Sequence, residues 1–112
     1  MSPITTHVLD THLGTPAANL PIRLFQLQGS DFVELAHGKT NSDGRITDLL
    51  SQGSLSPGTY KMHFNTGAYH SEIGVEGFYP EAEICFVVKN TTQHYHIPLL
   101  LSPFGYSTYR GS

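Results

Sequence analysis

The chain has 112 residues, a length that fits one domain with one hydrophobic core, and we expect residues 1–112 to form that single domain. Charged residues make up 13% of the chain and hydrophobic residues 38%, which excludes the highly charged, weakly hydrophobic composition of disordered proteins. The formal net charge is -3 and the basic residues are scattered, so we expect neither nucleic acid nor an anionic membrane as a partner.

Glycine and proline interrupt the sequence roughly every ten residues, which is the spacing of an all-β sandwich or barrel. One stretch, Ala68–Phe78, lacks the alternation of a strand and leaves room for one short helix. The other segments predict eight strands: Ile4–Asp10, Leu20–Gln28, Phe32–Thr40, Arg45–Leu50, Thr59–Thr66, Glu83–Asn90, Gln93–Ser102 and Phe104–Arg110. The predicted fold class is therefore all-β.

The first predicted strand has two alternating faces, and both contain polar and apolar residues. The pattern does not decide which face is buried, the one with Thr5, His7 and Leu9 or the one with Ile4, Thr6 and Val8.

A tight turn is predicted at Asn41–Gly44, because Asp43-Gly44 supplies residues that tolerate the positive φ of a hairpin. Arg45 then follows the turn directly, at the beginning of a strand.

Two later strands have a clear inward face. In the fifth, Tyr60, Met62 and Phe64 face the core. In the seventh, Tyr95, Ile97, Leu99 and Leu101 share the core face, which turns His94, His96 and Leu100 outward. An apolar leucine beside two outward histidines predicts that something covers this surface, most simply another subunit.

The lone Cys85 cannot form an internal disulfide, so no oxidising compartment is implied. It lies in the apolar run Ile84–Val88, and we expect it to be buried or half-buried. Glu81 and Glu83 are expected to be solvated at the beginning of a strand. Four further histidines have no identifiable partner and are expected at the surface: His12, His37, His63 and His70.

The sequence has no secretory signal, no stretch of transmembrane length and no peroxisomal ending of the S-K-L type, so we expect a cytoplasmic location.

No sequence motif of a known catalytic mechanism is present, so the candidate chemistry rests on histidines, one arginine and a hydroxyl-rich tail. His94 and His96 lie two residues apart on one strand face, close enough to bind one metal or share a substrate. Without further evidence, a surface or packing role is the simpler interpretation of all four side chains: His7, Arg45, His94 and His96.

The end of the chain, Leu99–Ser112, changes this interpretation. It closes on Tyr109-Arg110-Gly111-Ser112 and resembles the C-terminal signature of 5-hydroxyisourate hydrolases of the transthyretin-related family. Further blocks resemble the same family in order along the chain: Thr6–Asp10, Gly14–Ala17, Asp43–Arg45 and His94–Leu100. The resemblance spans nearly the whole chain.

The resemblance implies a transthyretin-like fold of two four-stranded sheets with one short helix, assembled as a homotetramer that is a dimer of dimers. It implies active sites in a channel between dimers, where 5-hydroxyisourate and water give 2-oxo-4-hydroxy-4-carboxy-5-ureidoimidazoline without a cofactor. The implied catalytic residues are His7, Arg45 and His96, and the implied substrate-binding residues are His94, Tyr109, Arg110, Gly111 and Ser112.

Ring-opening hydrolysis needs an activated water and a donor for the developing oxyanion. An imidazole with a pKa of about 6.5 can be the base near neutral pH, and we assign this role to His7 and His96 jointly. The permanent guanidinium donors of Arg45 suit the oxyanion.

Two other functions remain open at this stage. The same fold serves as a thyroid-hormone carrier in vertebrate transthyretin, and fold alone does not separate the two functions. A zinc-dependent hydrolase is the other alternative, with His7, His94 and His96 as ligands.

Overall fold

A computed structural model describes residues 2–111 as two β-sheets with one short helix. Nine strands were found where eight were predicted, because residues 15–16 pair briefly with the first strand. The elements are β1 (Ile4–Asp10), β2 (Thr15–Pro16), β3 (Pro21–Gln28), β4 (Asp31–Lys39), β5 (Arg45–Ile46), β6 (Gly58–Phe64), α1 (Thr66–Glu72), β7 (Ala82–Val88), β8 (Tyr95–Ser102) and β9 (Gly105–Thr108).

The first sheet has the strand order β2-β1-β8-β9, with β5 paired to β1, and the second has the order β4-β3-β6-β7. The prediction of an all-β sandwich with one short helix is confirmed. The core lies between the sheets and contains the predicted inward residues of β6 and β8: Tyr60, Met62, Phe64, Tyr95, Ile97, Leu99 and Leu101.

Parallel pairing between β1 and β8 resolves the face of β1 that the sequence left open. Ile4, Thr6 and Val8 point into the core and are 0% exposed. The alternate residues therefore point outward, and Thr5 lies beside His96 while His7 lies beside Pro98.

A tight turn forms at Asn41–Gly44 as predicted, but it does not close a hairpin, because β4 and β5 belong to different sheets. The turn docks onto β1. Asn41 accepts a hydrogen bond from the Gly44 N–H at 2.9 Å, and the Val8 N–H donates to the Gly44 carbonyl at 2.7 Å. Gly44 has φ 76°, and a Cβ there would collide with the Val8 carbonyl oxygen, so both conformation and contact require glycine. The docked turn places Arg45 directly opposite His7.

The strand after this turn ends earlier than predicted, at Ile46 rather than Leu50. Ile46 and Leu49 both pack into the core, which the strict alternation of a strand does not allow for residues three apart. The chain instead leaves the sheet, with the Thr47 carbonyl accepting from the Ser2 N–H.

The helix lies at the beginning of the predicted stretch and extends two residues before it. Asn65 caps it by accepting a hydrogen bond from the Ala68 N–H at 3.0 Å, and Gly74 follows its end with φ 72°. Within residues 2–111 no helix is long and apolar enough to cross a membrane.

Two expectations about individual residues were wrong. Cys85 is exposed, because β7 is an edge strand on which Ile84, Phe86 and Val88 point inward and Cys85 points outward. His70 is buried at 3% exposure, because the loop at Gly77 folds against its ring so closely that a Cβ there would collide with Nδ1.

Candidate active site

The three predicted catalytic residues lie together on the outer face of the first sheet. Arg45 pairs with His7 across β5 and β1, and partners in a ladder point to the same side of a sheet. His96 pairs with Thr5, two residues before His7. The strand spacing puts the backbones of His7 and His96 roughly 8 Å apart. We call this surface the histidine face and define it by Thr5, His7, Arg45, His94 and His96.

A single hydroxyl connects two of the histidines. Thr5 Oγ1 lies 2.8 Å from His94 Nε2 and 2.8 Å from His96 Nδ1. Thr5 is 4% exposed, and the two ring centroids are 6.4 Å apart. These contacts fix the orientation of the His96 ring and direct its Nε2 away from Thr5.

The C-terminal tail closes over the other edge of the His96 ring. The Gly111 N–H donates to the His96 carbonyl at 2.9 Å. A Cβ at Gly111 would lie 2.5 Å from His96 Cδ2 and 3.2 Å from Pro98 Cγ. Only glycine therefore fits at this position without displacing the imidazole.

Burial and the charge of Arg45 lower the pKa of two histidines of this face, His7 and His96. Burial lowers the pKa of His96, and the positive charge of Arg45 lowers it further, followed by smaller effects of His94 and His7. Burial and Arg45, in that order, also lower the pKa of His7, while Asp43 acts in the opposite direction. Both imidazoles are therefore available as bases at neutral pH.

The other predicted tail residues differ in where they point. Tyr109 is 59% exposed. Arg110 points away from the histidine face, with its guanidinium 4.5 Å from the Tyr95 ring centroid and its Nη2 donating to Gln93 Oε1 at 2.9 Å. Ser112 lies outside the described residues.

A cavity of about 350 Å³ opens between β7 and the tail. Tyr109, Arg110 and His96 line it, whereas His7 and Arg45 lie outside it on the open surface of the sheet. Two of the three catalytic candidates therefore lie outside this cavity, and His96 lies at its border.

The zinc alternative requires three donors that can reach one ion. Within residues 2–111, the one group of three such donors that lie within 4.8 Å of one another is His63, Glu81 and Glu83, on the second sheet. On the histidine face, the Thr5 hydroxyl occupies the space between His94 and His96. This arrangement suits hydrogen bonding rather than shared coordination.

Sequence reasoning missed Thr5 as a member of the site. The only available signal was that Thr5 and His7 alternate on the same side of β1, and it had no meaning until the pairing of β1 with β8 was known.

Comparison with known proteins gives consistent matches over nearly the whole chain. Residues 4–111 match the model of the HIUase/Transthyretin family. The chain is 50% identical to 5-hydroxyisourate hydrolase of Mus musculus, over 99% of this chain and 96% of the mouse protein. It is 40% identical to 5-hydroxyisourate hydrolase of Salmonella typhimurium strain LT2, over 97% of this chain and 80% of that protein.

Two solved structures share the fold. Sea bream transthyretin in complex with thyroxine has a TM-score of 0.93 and 31% identity, covering 98% of this chain and 95% of the other. Klebsiella pneumoniae 5-hydroxyisourate hydrolase has a TM-score of 0.83 and 38% identity, covering 97% and 98%. The backbone resembles the first more and the sequence the second more, so the distinction between a carrier and a hydrolase rests on the site residues.

Proposed function

The chain belongs to the HIUase/transthyretin family, and we propose that it is the hydrolase that opens the ring of 5-hydroxyisourate to 2-oxo-4-hydroxy-4-carboxy-5-ureidoimidazoline in urate degradation. The observation that carries the proposal is the meeting of His7, Arg45 and His96 on one outer sheet face. The hydrolase names of relatives at 40–50% identity support it.

In this reaction, one neutral imidazole takes a proton from water as the water oxygen attacks the ring carbonyl. His96 and His7 are the bases, because burial and Arg45 lower the pKa of both and leave a free nitrogen lone pair near pH 7. The ring C–N bond then breaks, and the departing nitrogen takes up the proton. No cofactor has a role in these steps.

Arg45 stabilises the oxyanion that develops on the attacked carbonyl. Its guanidinium is always charged and offers several N–H donors in one plane, which suits a flat, polar ring. Arg45 forms no ion pair with a carboxylate in the described part of the chain, so its donors are available to a substrate.

The remaining tail and strand residues bind the substrate in this proposal. Gly111 packs against one edge of the His96 ring, and His94 is connected to the same ring by the Thr5 hydroxyl. Tyr109, Arg110 and Ser112 complete the pocket, although Arg110 here contacts Tyr95 and Gln93 and would have to turn to reach a substrate.

We further propose a homotetramer built as a dimer of dimers, with the histidine face turned toward a second dimer. His7 and Arg45 lie on an open surface, and the apolar Leu9 and Leu100 lie half-buried on the same outer side. A facing subunit would exclude water from the two leucines and from the ring of the bound substrate. Excluding water strengthens the charge interactions between the substrate and the histidine face.

The test is the rate at which 5-hydroxyisourate disappears. We would generate it from urate with urate oxidase, add the protein and follow the ultraviolet absorbance of the intermediate against spontaneous decay. Faster decay is expected. Decay at the spontaneous rate, combined with tight thyroxine binding by calorimetry, would instead support the carrier function suggested by the sea bream complex.

A further inference from the structure

The Thr5 hydroxyl makes two short contacts with imidazole nitrogens but has only one proton. It lies 2.8 Å from His96 Nδ1 and 2.8 Å from His94 Nε2, both of which are hydrogen-bond distances. Each neutral imidazole has one N–H and one bare nitrogen. The hydroxyl can therefore donate to one of these rings and must accept from the other.

This restriction couples the tautomers of the two rings. If His96 donates from Nδ1, then Thr5 donates to His94 Nε2, and both rings have their proton on Nδ1. If Thr5 donates to His96 Nδ1 instead, both rings have their proton on Nε2. The two rings could also have different tautomers. In that case the hydroxyl faces either two bare nitrogens, of which it can donate to only one, or two N–H groups, and then it must donate to a third group.

A second group of Thr5 favours the first state. Burial and the charge of Arg45 lower the pKa of His96, and a backbone hydrogen bond with Thr5 acts in the opposite direction. A carbonyl oxygen can only accept, so it favours an N–H on the ring edge that faces Thr5, and that edge contains Nδ1.

We propose that Thr5 is a positioning residue that holds the proton of His96 on Nδ1 and leaves Nε2 as the basic nitrogen. The same hydroxyl holds the proton of His94 on Nδ1. When Nε2 of His96 accepts a proton from water, Nδ1–H is already bonded to Thr5, so the new imidazolium forms without rearrangement. Thr5 acts through His96 and is not itself in contact with the substrate.

The role of Thr5 in turnover rests on the proposed hydrolase function, but the tautomer of His96 does not. We would therefore record the ring ¹⁵N shifts of the intact protein at pH 8, assigned with His94→Asn and His96→Asn variants. The expected result is protonated Nδ1 and bare Nε2 in both rings. A bare Nδ1 in His96, or opposite tautomers in the two rings, would overturn the proposal even if the protein is not a hydrolase.

Variants at two neighbouring threonines separate positioning from folding. Thr5→Val should lower kcat by about tenfold or more with little change in KM, since a ring free to hold its proton on Nε2 is not a base there. Thr5→Ser keeps the hydroxyl and should restore most of kcat. Thr6→Val is the matched control: it also removes a buried hydroxyl, which donates to the Ile97 carbonyl at 2.6 Å, but on the core side of β1.

Melting temperatures of all three variants complete the test. The proposal requires that Thr5→Val alone reduces kcat and mixes the His96 tautomers, even if Thr6→Val destabilises the fold as much. Equal kcat in Thr5→Val and the wild type, or an equal loss of kcat in Thr6→Val, would contradict it. Should Thr5→Val not fold, the ¹⁵N shifts of the wild type and the kcat of Thr5→Ser still decide.

Discussion

The two sheets each present histidine and cationic side chains on their outer surfaces, but with opposite surroundings. On the second sheet, three such groups contact a carboxylate: Arg23 and Glu34 at 2.6 Å, His63 and Glu81 at 3.1 Å, Lys61 and Glu83 at 3.3 Å. On the histidine face, Arg45 lowers the pKa of two imidazoles, His7 and His96, and forms no ion pair with a carboxylate within residues 2–111, although Asp43 acts on His7 in the opposite direction.

This difference has a physical consequence. A surface ion pair contributes little to stability but leaves its charges satisfied and unavailable to a ligand. A permanent cation without a carboxylate partner is costly to cover unless a polar or negative group comes to it. The histidine face therefore suits the proposed substrate, whereas three cationic or histidine side chains of the second sheet already contact carboxylates.

The largest expected effect comes from removing Arg45, with Arg23 on the second sheet as the control. Arg45→Ala should lower kcat/KM by about 10²–10³, the usual loss on removing an oxyanion donor. Arg23→Ala, which removes an exposed arginine with a carboxylate partner, should leave kcat/KM within about twofold. Steady-state rates measure both, and similar losses in the two variants would remove the distinction between the sheets.

A smaller effect is expected from the tail. Gly111→Ala should lower kcat by about tenfold, because its Cβ would displace the His96 ring, and small displacements of a base are costly. Gly105→Ala is the control in β9, where a Cβ would meet its nearest neighbour at an ordinary 3.8 Å. Full activity in folded Gly111→Ala would show that this contact does not position His96.

The charge of Arg45 is expected to affect the titration of its neighbours as well as the rate. Arg45 lowers the pKa of His7 and His96, so Arg45→Ala should raise both pKa values toward the ordinary value of about 6.5, with burial still opposing. The imidazoles of His7 and His96 should therefore stay neutral to a lower pH in the wild type than in the variant. NMR titration of the ring protons measures this directly, and unchanged pKa values would contradict the account.

A lowered pKa by itself does not mark a catalytic histidine, and His70 shows why. Burial lowers its pKa, Asp10 acts in the opposite direction, and neither ring nitrogen has a hydrogen-bond partner among the described residues. The folded state binds fewer protons here than the unfolded chain, so the stability linked to His70 is lost as the pH falls below about 6.5.

This linkage gives the smallest expected effect. In His70→Phe, the free energy of unfolding should fall less between pH 7 and pH 5 than in the wild type, by about 1.4 kcal/mol for each unit of pKa difference removed. His37→Phe, at an exposed position, is the control. Denaturant melts at the two pH values measure the slope, and identical slopes in wild type and His70→Phe would refute it.

Much of the fold was accessible from the sequence, because alternation and turn residues act locally. The inward residues of β6 and β8 and the turn before Arg45 were predicted correctly. Periodicity does not indicate which distant strands pair. The sequence therefore did not show which face of β1 is buried, and this became clear only from its parallel pairing with β8. The exposure of Cys85 was missed for the same reason, since an apolar run does not reveal that its strand lies at an edge.

The site shows the same division. The resemblance supplied His7, Arg45 and His96, and strand alternation independently turned His96 outward. Neither source indicated Thr5, whose role depends on atoms 89 and 91 residues away in sequence, or the contact that requires glycine at position 111. Such contacts depend on three-dimensional packing and become visible only in the folded chain.

One measurement tests the central claim most directly: turnover of 5-hydroxyisourate by the wild type, His96→Asn and His63→Asn under identical conditions. Each variant removes one outward imidazole, from the histidine face or from the second sheet. We predict that His96→Asn lowers kcat by about 10² or more and that His63→Asn stays near the wild type. Equal activity in the two variants, or no catalysis by a folded wild type, would contradict the assignment of the reaction to the histidine face.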